Sequence, residues 1–149
     1  MVTHQNGLWT VPLGAHHRFY GHAQLKRELP DNPDYTVVVV DMEKFVECFE
    51  RGMPSYVIPE VAAWTDEKRD RLRDFLDPMT GAPNMPRASI RLEERSRLWG
   101  LLKPVEVAVA SFTNGRHRTR YLQGAGALCI PIEVHQSAAK LFEQCCAGP

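Results

Sequence analysis

The chain has 149 residues, 44% hydrophobic and 24% charged, and its 18 basic and 18 acidic side chains cancel. That length suits one hydrophobic core rather than two, and the composition excludes collagenous and disordered chains. A neutral total supplies no long-range field toward DNA or lipid, so any affinity for nucleic acid has to come from a local patch.

No run approaches the roughly 18 apolar residues a membrane span needs, and residues 1–12 lack the basic-then-apolar order of a signal peptide. A cytoplasmic protein without membrane insertion is expected. Cys48, Cys129, Cys145 and Cys146 show no CxxC spacing, so reduced, mostly buried thiols are expected rather than a zinc site or a disulfide framework.

Residues 1–34, polar and rich in Gly, Pro and His, are expected to form an N-terminal arm with room for one short strand. His16, His17 and His22 match no metal-ligand spacing and are expected at the surface. The run YTVVVV over 35–40 predicts a buried central strand. Asp41 then caps a helix whose Met42, Phe45, Val46 and Phe49 recur at amphipathic spacing until Gly52. Residues 55–58 suggest a short strand. Thr65 caps a charged helix with Leu72, Phe75 and Leu76 as its buried stripe, closed by a loop containing Pro78, Gly81, Pro83 and Pro86.

Residues 90–102 fit a helix loosely through Leu92, Leu98, Trp99 and Leu102, with Gly100 interrupting its end and Pro104 stopping it. Val105, Val107 and Val109 then alternate as a strand. Residues 130–134 form another strand, and Ala138, Leu141, Phe142 and Cys145 give a last helix its apolar face. No internal repeat interrupts this order.

Between the last two strands lies SFTNGRHRTRYLQGAG, residues 111–126. Three arginines and a histidine within 116–120 form the densest basic patch outside the mixed-charge stretches. A helix opened by Gly115 and stopped at Gly124 would aim its free amide groups outward beside Arg116, His117 and Arg118, making an anion pocket. Arginine adds the planar fork that pairs two phosphate oxygens, and histidine a proton or a donor. Asn114-Gly115 is also a strong hairpin signal, with His117, Thr119 and Tyr121 alternating as a strand would. The local pattern divides evenly. Gly124 and Gly126 as a stop and a turn favour the helix, as does the absence of acidic partners for four basic side chains on a strand.

The stretch FTNGRHRTRYLQGAGALCIPIEV resembles the hallmark of the ParB/sulfiredoxin superfamily, in which a strand, a glycine, His-Arg and a short helix lead to an Ile-Pro strand. Together with VVVVDMEKF, SYVI and NMP upstream, it is similar to one branch, the plasmid fertility inhibition factors of the Osa and FiwA kind. The resemblance spans residues 35–134. It implies a compact single-domain α+β fold over 35–149, a mixed sheet with flanking helices, whose phosphate-binding loop serves nucleotide binding, nucleotide hydrolysis or nucleic-acid cleavage. Gly115, His117 and Arg118 match the superfamily's phosphate-holding Gly, His and Arg. Sulfiredoxins need a cysteine where Arg116 stands, so peroxiredoxin repair is not implied. Partition-type ParB proteins carry DNA-reading helices for which this chain has no counterpart.

The resulting candidates are Asn114, Gly115, Arg116, His117, Arg118 and Thr119 for phosphate binding, with Arg116, His117 and Arg118 as the catalytic groups. Asp41 and Glu94 are the possible acidic members, with Glu93 and Glu133 also near; a cap explains Asp41, and a solvated face explains Glu93 and Glu94. Tyr56 and Trp64 could stack on a base but are more simply core. The expected ligands are ATP or another nucleotide, a DNA backbone, and Mg2+ as a possible ion. The resemblance implies an ATPase or DNase that blocks conjugative transfer through a type IV secretion system. A contact-only inhibitor of a secretion ATPase or coupling protein, or a small-molecule phosphotransferase, remain alternatives.

Overall fold

The computed structural model describes residues 1–52, 58–97 and 101–148. Among the described residues, two sheets and four α-helices make a mixed α+β architecture. The first 34 residues hold three strands rather than one: β1 (Thr3–Gln5), β2 (Leu8–Pro12) and β3 (His22–Lys26) form an antiparallel sheet. Asn6 and Gly7 turn the first hairpin with positive φ of 52° and 77°. The period was obscured because only Val11, Ala23 and Leu25 point into the core, where each is 0% exposed.

The second sheet runs β4 (Tyr35–Asp41), β7 (Cys129–His135), β5 (Arg87–Arg97), β6 (Leu102–Asn114) from edge to edge. β4 pairs β7 antiparallel and β5 pairs β6 antiparallel, while β5 meets β7 in parallel at Arg87 opposite Glu133, so the sheet is mixed. The valine strand is therefore an edge and not the centre. Only Val38 and Val40 of its valines are buried, whereas β7 is buried from Cys129 to Val134. Pro131 is tolerated there because the Glu133 amide donates to Pro86 O at 2.9 Å. An amide two residues earlier would face the same way, beyond the start of β5.

Residues 87–97 are a strand, not the helix expected over 90–102. Ala88 and Ile90 are buried against exposed Ser89 and Arg91, and the long ladder with β6 overrides weak helical spacing. The strand expected over 55–58 lies mostly outside the described residues.

Helix α1 (Met42–Glu50) is capped by Asp41, whose carboxylate accepts the Lys44 amide at 3.0 Å. Helix α2 (Asp66–Leu76) is capped by Thr65 and buries Leu72 and Leu76, but Phe75 is 52% exposed. Helix α4 (Gln136–Cys146) buries Phe142 and Cys146. Helices α1 and α4 pack on the four-stranded sheet, with Phe45 edge-on to Phe112 at 5.2 Å and tilted against Phe142 at 6.0 Å.

The small sheet is fastened by a buried carboxylate. Glu133, 0% exposed, accepts from Arg27 Nε at 3.0 Å and from the amides of Glu28 and Leu29 at 3.2 Å. A buried charge is tolerable only when paired and hydrogen-bonded in this way. Glu133 is therefore a structural clamp between the two sheets.

Candidate functional site

Strand β6 delivers the chain to Gly115, which adopts φ 81°, ψ 6° as the cap of helix α3 (Arg116–Gly124). The helix is formed, and the competing hairpin is not. A Cβ at Gly115 would lie 2.7 Å from Pro86 Cα, so both the left-handed backbone and the close approach require glycine. Asn114 braces the turn: its Oδ1 accepts the Arg87 amide at 2.9 Å and its Nδ2 donates to Glu28. The first intrahelical bond runs from Thr119 N to Gly115 O at 2.9 Å, so the amides of residues 116–118 precede the ladder at the positive end of the helix.

This turn forms one wall of a cleft of about 840 Å³. Phe49 and Gly52 enter from α1 and its end, Arg71, Leu72 and Phe75 from α2, Arg91 from β5, and residues 110–118 from β6 and the α3 start. Four arginines and one histidine line it, and no carboxylate does so among the described residues. Phe49 and Phe112, edge-on at 4.7 Å, supply an apolar floor with Phe75. Such a lining suits an anion that carries an apolar or aromatic part.

The candidate residues divide. Asn114, Gly115, Arg116, His117 and Arg118 line the cleft. Arg118 donates to Asn84 O, and its guanidinium lies 5.8 Å from the Phe75 ring. Burial lowers its pKa while Glu28 opposes the shift. His117 packs edge-on to Trp64 at 5.8 Å, with Nδ1 buried and without a hydrogen-bond partner among the described residues. Burial, then Lys68, Arg116 and Arg71, push its pKa below the ordinary imidazole value, so the ring is neutral at neutral pH.

Thr119 is 2% exposed and its hydroxyl donates to Gly115 O at 3.2 Å; it does not line the cleft. Arg120, counted in the basic patch, turns inward instead, with Nε 3.0 Å from Ile58 O, Nη1 2.8 Å from Gln123 Oε1, and Nη2 on Glu50. Asp41 is occupied in capping α1, and Glu94 is exposed on β5 opposite Glu106. Glu93 pairs with Arg91 and Arg95. Trp64 is core, its indole N–H donating to Pro59 O at 2.9 Å. Tyr56 lies outside the described residues.

Three charged groups at the site were not found from sequence. Arg71 is one of several arginines on a charged helix, and nothing local marks the one that faces β6. Arg91 was hidden in the stretch taken for a helix. Glu28, two residues beyond the end of β3, meets Asn114 and lies 3.4 Å from Arg87 Nη1, so it faces the back of the loop. Two of the N-terminal histidines are structural: His16 Nε2 bonds Gly124 O at 3.0 Å, and His17 bonds Tyr20 O at 3.0 Å and Tyr121 Oη at 3.1 Å. No group of three His, Cys, Asp or Glu able to hold a metal occurs among the described residues. None of the described helices is long and apolar enough to cross a membrane.

The model of a family described as Plasmid Fertility inhibition factor matches residues 37–147. No curated protein matches the chain. Among solved structures, the chain is similar to the gold(I) cyanide derivative of Oncogenic Suppression Activity Protein, described as a plasmid fertility inhibition factor. The TM-score is 0.64 at 12% identity, covering 100% of this chain and 75% of the other. At that identity the match establishes likeness of fold.

Proposed function

This chain belongs to the plasmid fertility inhibition factor family, and from that premise we propose that it blocks conjugative DNA transfer by another element through a type IV secretion system, by engaging a nucleotide or a DNA backbone in the arginine-lined cleft. The observation that carries the proposal is that Arg71, Arg91, Arg116 and Arg118 line one cleft with the open end of α3, and that the described lining of this cleft holds no carboxylate. Amides and guanidinium forks hold phosphate oxygens, each charge-assisted bond contributing about 1.5–3 kcal/mol. Phe75 and the Phe49–Phe112 floor receive a base.

In turnover, ATP hydrolysis or phosphodiester cleavage would use the same phosphate position. His117, neutral at neutral pH, is the group able to accept a proton from attacking water, and Arg116 and Arg118 would stabilise charge on the phosphoryl oxygens. Among the described residues no group of acidic side chains forms a protein-held Mg2+ site, so no step is assigned to a protein-bound ion. The same shortage of acidic ligands favours a second reading, in which the cleft binds without turnover and the protein inhibits a secretion ATPase or coupling protein by contact. The sequence-level likeness to the ParB/sulfiredoxin superfamily supports the phosphate-binding role of Gly115, His117 and Arg118.

Purified protein titrated with a fluorescent ATP analogue and with single-stranded DNA should bind at least one of them, and Arg118→Ala should weaken that binding by about one to two orders of magnitude. Labelled ATP and supercoiled plasmid with magnesium then separate the readings. Release of phosphate or nicked plasmid supports catalysis, binding without either supports the contact inhibitor, and no binding at millimolar ligand defeats both uses of the cleft.

A further inference from the structure

Helix α1 and helix α4 meet through two cysteines. Cys48 and Cys146 are 98 residues apart in sequence, yet their sulfurs lie 3.6 Å apart, and the two residues are 3% and 0% exposed. The proposed function makes no use of either thiol. We propose that Cys48 and Cys146 form a reversible disulfide, in which a hydroperoxide oxidises Cys48 and Cys146 resolves the product, fastening the first helix to the last.

The geometry defines the two roles. A disulfide places its sulfurs about 2.05 Å apart, so the pair, 3.6 Å apart, must close by about 1.5 Å. Cys146 Sγ donates the hydrogen bond to Cys48 Sγ, an arrangement that favours the thiolate form of Cys48 over that of Cys146. Arg51 acts in the same direction: its Nη1 lies 3.6 Å from Cys48 Sγ and 3.3 Å from Ala108 O, holding a positive charge beside that sulfur. The Cys146 hydrogen bond and Arg51 lower the Cys48 pKa against the opposing effects of burial and Glu47, and the same bond together with burial raises that of Cys146. A thiolate is the form that attacks peroxide.

The chemistry balances without a further reagent. Cys48 thiolate attacks one oxygen of hydrogen peroxide, the O–O bond breaks, and hydroxide leaves with Cys48 as a sulfenic acid. The hydroxide takes up the proton that Cys48 had released. Cys146 sulfur then attacks the sulfenic sulfur, the S–O bond breaks, and the hydroxyl leaves as water with the Cys146 proton. Two thiols and one peroxide give one disulfide and two waters. Hydrogen peroxide suits a buried pair because it is little larger than water.

The test uses the whole native protein, treated with equimolar to tenfold hydrogen peroxide, quenched, alkylated in denaturant and digested. The expected result is the fall of the four thiols of the chain to two, loss of two hydrogens from the intact monomer, a linked peptide joining Cys48 to Cys146, and full recovery on treatment with dithiothreitol. Cys145→Ser should form the same link at the same rate, whereas Cys48→Ser and Cys146→Ser should not. If the native protein instead keeps all four thiols, accumulates sulfinic acid at Cys48 without a link, or joins mainly Cys145 or Cys129, the pair is not redox-active as proposed. These readouts come from the unsubstituted chain and stand even where a serine variant folds poorly.

Discussion

Arg71 and Arg120 carry the same charge and do different work. Arg71 is exposed on α2 and faces the cleft, whereas Arg120 is 8% exposed and spends its guanidinium on Ile58 O, Gln123 and Glu50. Arg71→Ala should weaken nucleotide or DNA binding about tenfold with an unchanged urea midpoint. Arg120→Ala should lower stability by about 2–3 kcal/mol, discounted because Glu50 remains half in solvent, and leave the affinity of the folded fraction intact. Paired urea and binding titrations check both, and equal effects on both quantities in either variant would remove the distinction. His117 adds a pH dependence. Its pKa is lowered in the fold, so above about pH 6.5 it is neutral in both states and contributes nothing. As pH falls through 6.5 the unfolded chain takes the proton first, and stability drops until the folded value is passed. His117→Gln should therefore show a shallower loss of urea midpoint between pH 6.5 and 5.5 than the unsubstituted protein; parallel curves would mean that another group dominates.

The α3 turn is the element on which the cleft depends, and Gly115 is its most constrained position. Gly115→Ala places a Cβ 2.7 Å from Pro86 Cα at φ 81°, so the expected loss is about 2–4 kcal/mol by urea unfolding. A loss below 0.5 kcal/mol would show that the turn relaxes freely. Local pattern alone divided this element evenly between helix and hairpin, and it became legible through Gly124 and Gly126 as a stop and a turn and through the lack of acidic partners for a basic strand. More directly legible were α1, α2, α4 and the strands at 35–41 and 129–135, whose periodicity or capping residues are written in consecutive positions. The misread elements owe their form to distant partners. β5 is a strand because β6 lies beside it, β4 is an edge because β7 enters between it and β5, and Phe75 leaves the core to stand in the cleft. At the site, the turn and its arginines could be seen from sequence, but Arg71, Arg91 and Glu28 come from separate parts of the chain, α2, β5 and the segment after β3, and only the fold assembles them.

At the scale of the molecule, the first 34 residues belong to the core. Val11, Ala23 and Leu25 are fully buried, and Arg27 with two backbone amides satisfies the buried Glu133 carboxylate. A chain beginning at residue 35 would strip that carboxylate of its partners and uncover the apolar surface on which Val11, Ala23 and Leu25 pack. It should show no cooperative thermal transition by circular dichroism, whereas a shortened chain that melts like the parent would make the small sheet dispensable. Strand β7 carries a different consequence, in the order of assembly. It lies between β4 and β5 yet is made after both, so during synthesis its two neighbours in the sheet exist before the strand that joins them. Long-range pairing of this kind is slow, because loop closure precedes any reward from contact. Until residues 129–135 arrive, β4 and β5 each present an open backbone edge, the feature by which nascent chains associate with one another.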